Sequence, residues 1–259
     1  MSAAVPRSAA GAPELVKIPG GTFVMGDVWR DGLPDEQPAR ETEVASFLLG
    51  ACAVSCRQFV GFANDPSSCL GGRSGAIDVH GETSPFAWEG GRYWCRDGCE
   101  ERPATCIDWA AARAYCRWLG QRVGADVRLP SEVEWQYASG GPQRFKWTLG
   151  NTFRRDHYVC GCAGPQPADW GEPSAWGLLN MTGNVFEWTA DEYRFSYHTD
   201  AQRLPGNRVI KGGAFILSES ANLRNSRRFS CDERSCLSSI GFRVACSIDG
   251  RGASMPVPS

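Results

Sequence analysis

Thirty glycines and sixteen prolines punctuate the 259 residues, and this constrains the fold more than any other feature. Proline breaks a helical hydrogen-bond ladder and glycine weakens one, so long helices cannot dominate. Ten tryptophans supply large rings for a core built from many turns and short elements. Together these features exclude a helical bundle. The charge is nearly balanced, 27 Lys+Arg against 29 Asp+Glu. That excludes a generally basic nucleic-acid binder and an acidic disordered chain. The longest mostly apolar run, Val44 to Val54, has about half the roughly 20 residues of a membrane helix. Met1 to Pro13 contains no apolar secretory segment. The expectation is therefore a cytoplasmic monomer with no membrane or nucleic-acid partner.

Local signals place only a few elements. Ser55 with Gln58, and Ser131 with Glu134, are capping boxes that open helices. Asp108 caps a third helix from Trp109 to about Leu119, with Gly120 as its stop. Short strands are expected at Leu15–Ile18, Thr22–Met25, Arg208–Ile210 and Gly241–Ala245. Gly71 to Ser84 is expected to be a loop. Helices early, scattered short strands and much irregular chain define an α+β class. Residues 1–13 and 248–259 are expected to be mobile tails on a single domain over residues 14–247.

The twelve cysteines contain no C-x-x-C pair, so neither a zinc ribbon nor a thioredoxin-like motif is supported. The close pairs are Cys52/Cys56, Cys95/Cys99, Cys160/Cys162 and Cys231/Cys236. Buried small side chains with free thiols, one or two disulfides, and a bound metal all stay open.

Four ordered segments go further. They are Ile18-Pro-Gly-Gly-Thr-Phe-Val-Met-Gly26; Asp108-Trp109 through Trp118, then Arg128-Leu-Pro-Ser-Glu-Val-Glu-Trp135; Gly177-Leu-Leu-Asn-Met-Thr-Gly-Asn-Val-Phe-Glu-Trp188; and Arg208-Val-Ile-Lys-Gly-Gly213, followed by Asn222-Leu-Arg224 and Ile240-Gly-Phe-Arg243. In this order they resemble the formylglycine-generating-enzyme family, also called the sulfatase-modifying-factor family. The resemblance spans about residues 15–246. It implies a variant C-type-lectin-like fold with short twisted sheets, two or three helices and long loops.

The family's enzymes hold copper with a cysteine pair after the Gly-Gly turn, because paired thiolates favour Cu(I). By register that pair falls at Leu217 and Asn222, and a site-shaping serine falls at Ala214. None of the three is retained, so the resemblance implies no formylglycine synthesis by the family mechanism. Cys231 and Cys236 lie in the same C-terminal segment and could replace the pair, or be structural thiols. Relatives that make ergothioneine hold iron with three histidines, whereas His80, His157 and His198 are widely separated here.

Gly183 to Glu187 resembles the family's calcium loop. Glu187 would be the side-chain ligand, and Gly183 and Val185, with Thr182 as a further candidate, would offer carbonyls to a hard cation. The alternative is a Glu187 that holds a tight turn. A second family calcium site needs an asparagine near Val159-Cys160, and it is missing. The resemblance also implies a Cys116–Cys246 bridge in an oxidising compartment. Arg224 and Arg243 are expected in buried hydrogen bonds. Arg227, Arg228 and Arg234 could bind an anion or a peptide carboxylate, and Trp109, Trp118, Trp135, Trp176 and Trp188 are expected to pack the core.

The leading functional expectation is metal- and oxygen-dependent oxidative tailoring of a peptide or small molecule, with iron or copper as cofactor. The alternatives are a non-catalytic ligand- or protein-binding module, which retroelement-driven variation could diversify over Ile216 to Ser239, and an accessory in another protein's maturation.

Overall fold

Three helices begin where their capping residues place them. Ser55 Oγ accepts the Gln58 amide, and Gln58 Oε1 accepts the Ser55 amide at 2.9 Å. This starts α1 (Cys56–Ala63). Asp108 accepts the Ala111 amide at 2.6 Å and opens α2 (Trp109–Val123). Ser131 and Glu134 exchange the same reciprocal bonds at the start of α3 (Glu132–Gly140).

The end of α2 corrects the sequence expectation. The helix runs through Gly120 and stops at Gly124, which is left-handed with φ 64°. Gly120 has a different role, since a Cβ there would lie 2.7 Å from the Ala125 carbonyl oxygen. Its missing side chain lets the outgoing chain fold back along the helix.

The computed structural model describes residues 11–68, 70, 75–198 and 200–248. The two expected tails lie mostly outside them, as does part of the Gly71–Ser84 stretch. The strands are β1 (Leu15–Ile18), β2 (Gly21–Met25), β3 (Arg40–Val44), β4 (Phe47–Gly50), β5 (Phe86–Glu89), β6 (Arg92–Cys95), β7 (Val127–Arg128), β8 (Phe186–Arg194), β9 (Arg203–Lys211), β10 (Phe229–Asp232), β11 (Ile240–Gly241) and β12 (Ala245–Ser247).

Among the described residues they form two four-stranded sheets, ordered β1-β4-β12-β7 and β10-β9-β8-β11, and two hairpins, β2-β3 and β5-β6. The expected Gly241–Ala245 strand is divided. β11 pairs parallel with β8, and β12 pairs antiparallel with β4 and β7. Between them, Arg243 sends its side chain into the interior instead of continuing one ladder.

The class is α+β, as expected. One core cluster surrounds Phe59, Tyr115, Trp188 and Phe242, and a second surrounds Phe47, Trp135, Tyr137 and Leu178. Trp135 and Trp188 are fully buried. Each ring at such a depth removes a large apolar area from water, so these two tryptophans, with the buried Trp109, pack the core. Among the described residues no helix is long and apolar enough to cross a membrane.

Candidate functional site

The Gly212–Gly213 turn sets the geometry of the candidate site. Both glycines have positive φ, 93° and 72°. A Cβ on Gly213 would lie 2.4 Å from Leu223 Cδ2, 3.2 Å from the Asn222 carbonyl oxygen and 3.5 Å from Leu217 Cδ1. The chain after the turn therefore folds back over it and brings Leu217 and Asn222 close to Gly213. Gly161 donates to the Leu217 carbonyl at 2.8 Å, and Cys162 to that of Phe215 at 2.9 Å, which fixes this fold-back.

The result is an apolar cluster. Leu217 packs with Trp147, Tyr158, Cys160 and Leu223, and Ala214 is fully buried. The two positions that the resemblance assigns to copper are thus brought together, but they present an aliphatic side chain and an amide. Burial also pushes the Cys160 thiol up. A soft metal needs thiolates in a pair, so the residues present do not fit copper here.

Cys231 and Cys236 have separate surroundings. Cys231 lies on β10 opposite Arg208 and packs against the main core. Cys236 donates to the Gly75 carbonyl at 3.3 Å, and burial pushes its thiol up to about 12. His157 lies 3.7 Å from Glu172, whereas His198 lines a different cleft with Arg228. Among the described residues, no three His, Cys, Asp or Glu side chains converge as a metal-binding group. Cys116 and Cys246 are buried within the same core cluster.

The expected calcium loop has the wrong electrostatics. Gly183 is held at φ 82°, where a Cβ would meet the Val159 carbonyl oxygen at 2.6 Å. The turn is built for close backbone contact, as a calcium loop would be. The Glu187 carboxylate, however, faces a cation. Arg243 reaches both of its oxygens at 2.7 Å, and the Trp135 indole donates at 2.7 Å. Arg243 also donates to the Gly50 and Leu179 carbonyls, each at 2.9 Å. Thr182 Oγ1 is engaged too, by the Thr148 hydroxyl and amide. Both Glu187 oxygens are taken up by a buried guanidinium and an indole, so Glu187, with Gly183 and Val185 beside it, does not fit an open calcium site. Glu187 instead closes an ion pair between β8 and the β11–β12 connection.

The arginine cluster also differs from the expectation of one anion site. Arg228 is buried against Glu132, with bonds of 2.6 and 3.1 Å, and donates to the Asp35 and Arg194 carbonyls. Its guanidinium lies over the Tyr197 ring at 4.3 Å. Arg227 lies over Phe229 and donates to the Arg228 carbonyl. Arg234 is exposed on a separate turn, its amide bound to Asp232. Two of the three guanidiniums thus serve internal contacts, and the three do not converge. Arg224 makes the expected buried contacts, pairing with Glu36 through bonds of 2.7 and 2.9 Å.

The sequence did not reveal the acids behind these contacts. Glu132 carried one signal, an acid in the first turn of a helix. Glu36 ends a three-residue 3₁₀ turn, Pro34–Glu36, too short to show a periodicity that would mark it. Lys211 was hidden inside the Gly-Gly motif. It is fully buried, donates to the Ser226 carbonyl at 3.1 Å and lies 3.9 Å from Glu132. Desolvation lowers its pKa to about 8, with Glu132 opposing that shift.

Beside the apolar cluster is a cleft of about 250 Å³, with Phe23, Trp29, Gln136, Arg144, Lys146 and Asn225 in its walls. Its floor is internally satisfied. Gln136 bonds both polar groups of the Gly26 backbone, and Asn225 donates to the Phe145 carbonyl at 2.9 Å. Trp29 is 45% exposed at the rim, with the Lys146 ammonium 5.6 Å from its ring. The Asn225 amide donates to the Lys146 carbonyl at 2.8 Å. Trp147 follows directly, so the cleft and the cluster share a wall.

Fold and site define a family scaffold in which the two positions that the resemblance assigns to the copper thiolates hold Leu217 and Asn222. The sulfatase-modifying factor enzyme 1-like domain matches residues 2–248, and the chain belongs to this family. It is 29% identical to the formylglycine-generating enzyme of Streptomyces coelicolor, over 95% of this chain and 92% of that protein. Among solved structures it is similar to PvdO from Pseudomonas aeruginosa, with a TM-score of 0.73, 22% identity, and coverage of 92% of this chain and 95% of that one. It is also similar to Treponema denticola variable protein 1, with a TM-score of 0.70, 18% identity, and coverage of 90% and 94%.

Proposed function

We propose that this chain is a ligand-recognising member of the family that does not convert cysteine to formylglycine. What carries this reading is that Leu217 and Asn222 stand at the positions to which the resemblance assigns the family's copper thiolates, both close to the Gly213 turn. The adjoining cleft supplies what a binding site needs. It has apolar and aromatic walls, a satisfied polar floor, and near the rim a lysine, Lys146, that pairs with Asp31. A peptide segment or a small molecule with an aromatic group fits that chemistry.

Oxidative tailoring is the second reading, favoured by the 29% identity over 95% of the chain to an enzyme named for formylglycine synthesis. It requires a redox metal held by residues other than the family pair.

One set of experiments separates the two. The purified chain is loaded with copper or iron and given a cysteine-containing sulfatase peptide and oxygen. Recognition without redox chemistry predicts no stoichiometric copper, no formylglycine and no oxygen uptake. Metal-dependent oxygen uptake with any peptide would favour tailoring instead. The double variant Leu217→Cys/Asn222→Cys is expected to gain about one Cu(I) per chain, measured by competition with a chelator. Stoichiometric Cu(I) in the unaltered chain would overturn the proposal.

A further inference from the structure

A second cleft, of about 710 Å³, opens between α2, β7 and β9 on a different part of the surface. We infer that it binds a small organic molecule carrying a phosphate or sulfate group, a site distinct from the aromatic cleft and independent of the function proposed above.

The inference rests on charge that the fold does not neutralise. Arg113 and Arg117 are both exposed and stand one turn apart on the same face of α2. Like charges at this spacing repel one another. Among the described residues, neither guanidinium has a carboxylate within salt-bridge distance. Arg208 approaches from β9 and adds a third cation. Its guanidinium lies 3.7 Å from the Trp109 ring centroid, and that of Arg113 lies 4.7 Å from the same centroid. The ring is fixed, because its indole donates to the Thr189 carbonyl at 2.8 Å.

Two of the acids near the cleft are already committed. Glu134 binds Arg128 through two bonds of 2.7 Å, and Glu233 binds Arg208 at 2.8 Å. Asp126 also lines the cleft, exposed to solvent, one carboxylate against Arg113 and Arg117 together. These pairings pre-set Arg128 and Arg208 and leave Arg113 and Arg117 as unspent fork-shaped donors. Guanidinium forks match the paired oxygens of phosphate and sulfate. Val127 and Leu129 make a buried apolar floor between them. Basic rim and apolar floor together select an oxyanion attached to an apolar body, and the volume suits a molecule of that size.

The test uses the full chain and isothermal titration with inorganic pyrophosphate, phosphate and sulfate in separate arms. The unaltered protein is expected to bind at least one of these anions, more weakly as salt rises. Arg113→Gln/Arg117→Gln should weaken that binding at least tenfold. Arg154→Gln, on an exposed side chain remote from the cleft, should leave it unchanged. The preferred anion identifies the source of the oxygens. If the double variant loses its native circular dichroism, Arg117→Gln alone is used, with at least a threefold loss expected. No binding by the unaltered chain, or unaltered affinity in the folded variants, would overturn the inference.

Discussion

Lys211 shows how far a single residue can depart from its usual chemistry. Its amine is fully buried, and its pKa falls from the ordinary 10.5 to about 8. The sign of the effect follows from proton counting. Between about pH 8 and 10.5 the unfolded chain keeps a proton on this amine that the folded chain has released. Stability from this group therefore rises with pH across that window, by up to about 3 kcal/mol. Below pH 8 both states hold the proton, and the folded state carries the cost of a buried ammonium. Lys211→Met should flatten this part of the stability-versus-pH profile, followed by urea unfolding at several pH values. An equally steep rise in the variant would show that another group is responsible. Nothing in Val-Ile-Lys-Gly-Gly told that this lysine lies inward. A lysine ending a strand is ordinarily solvated, and its burial is made tolerable by groups distant in sequence, Glu132, Ser226 and the Trp135 ring among them.

At the scale of elements, the helix starts were legible because a cap is a local device. Ser55, Asp108 and Ser131 each satisfy an orphan amide within three residues of themselves, so their chemistry is written in adjacent sequence. The end of α2 was misplaced because Gly120 and Gly124 look alike in sequence. They are separated only by what packs beside them, the Ala125 carbonyl in one case and open space in the other. Ser131→Ala should cost about 1 kcal/mol in urea unfolding, since it breaks a capping box whose Glu134 also holds Arg128. The loss should come with little change in the slope of the transition. A variant as stable as the parent would mean that Arg128 alone anchors Glu134.

For the whole molecule, three ion pairs tie the last fifth of the chain to earlier segments: Arg224 to Glu36, Arg228 to Glu132, and Arg243 to Glu187. The ordered motifs made the family and the α+β class legible. They did not reveal the partners of these arginines, because ion pairs between residues separated by 56 to 188 positions leave no local pattern. The same limit explains the calcium expectation. Glu187 sits in a suitable loop, but the cation that reaches it comes from the far end of the chain. Arg243→Met should destabilise the fold by about 3–5 kcal/mol, because it leaves a buried carboxylate without its partner. Adding Glu187→Gln to that variant should recover part of the loss, measured by thermal and urea unfolding together. Full additivity of the two changes would contradict a direct pairing.

The order β1-β4-β12-β7 also bears on how this molecule is made. The central place in that sheet belongs to Ala245–Ser247, so β4 and β7 have no ladder between them until those residues leave the ribosome. Early in translation the emerging chain can cap its helices and close its hairpins. The seam between β4 and β7 closes only once that later segment has been made.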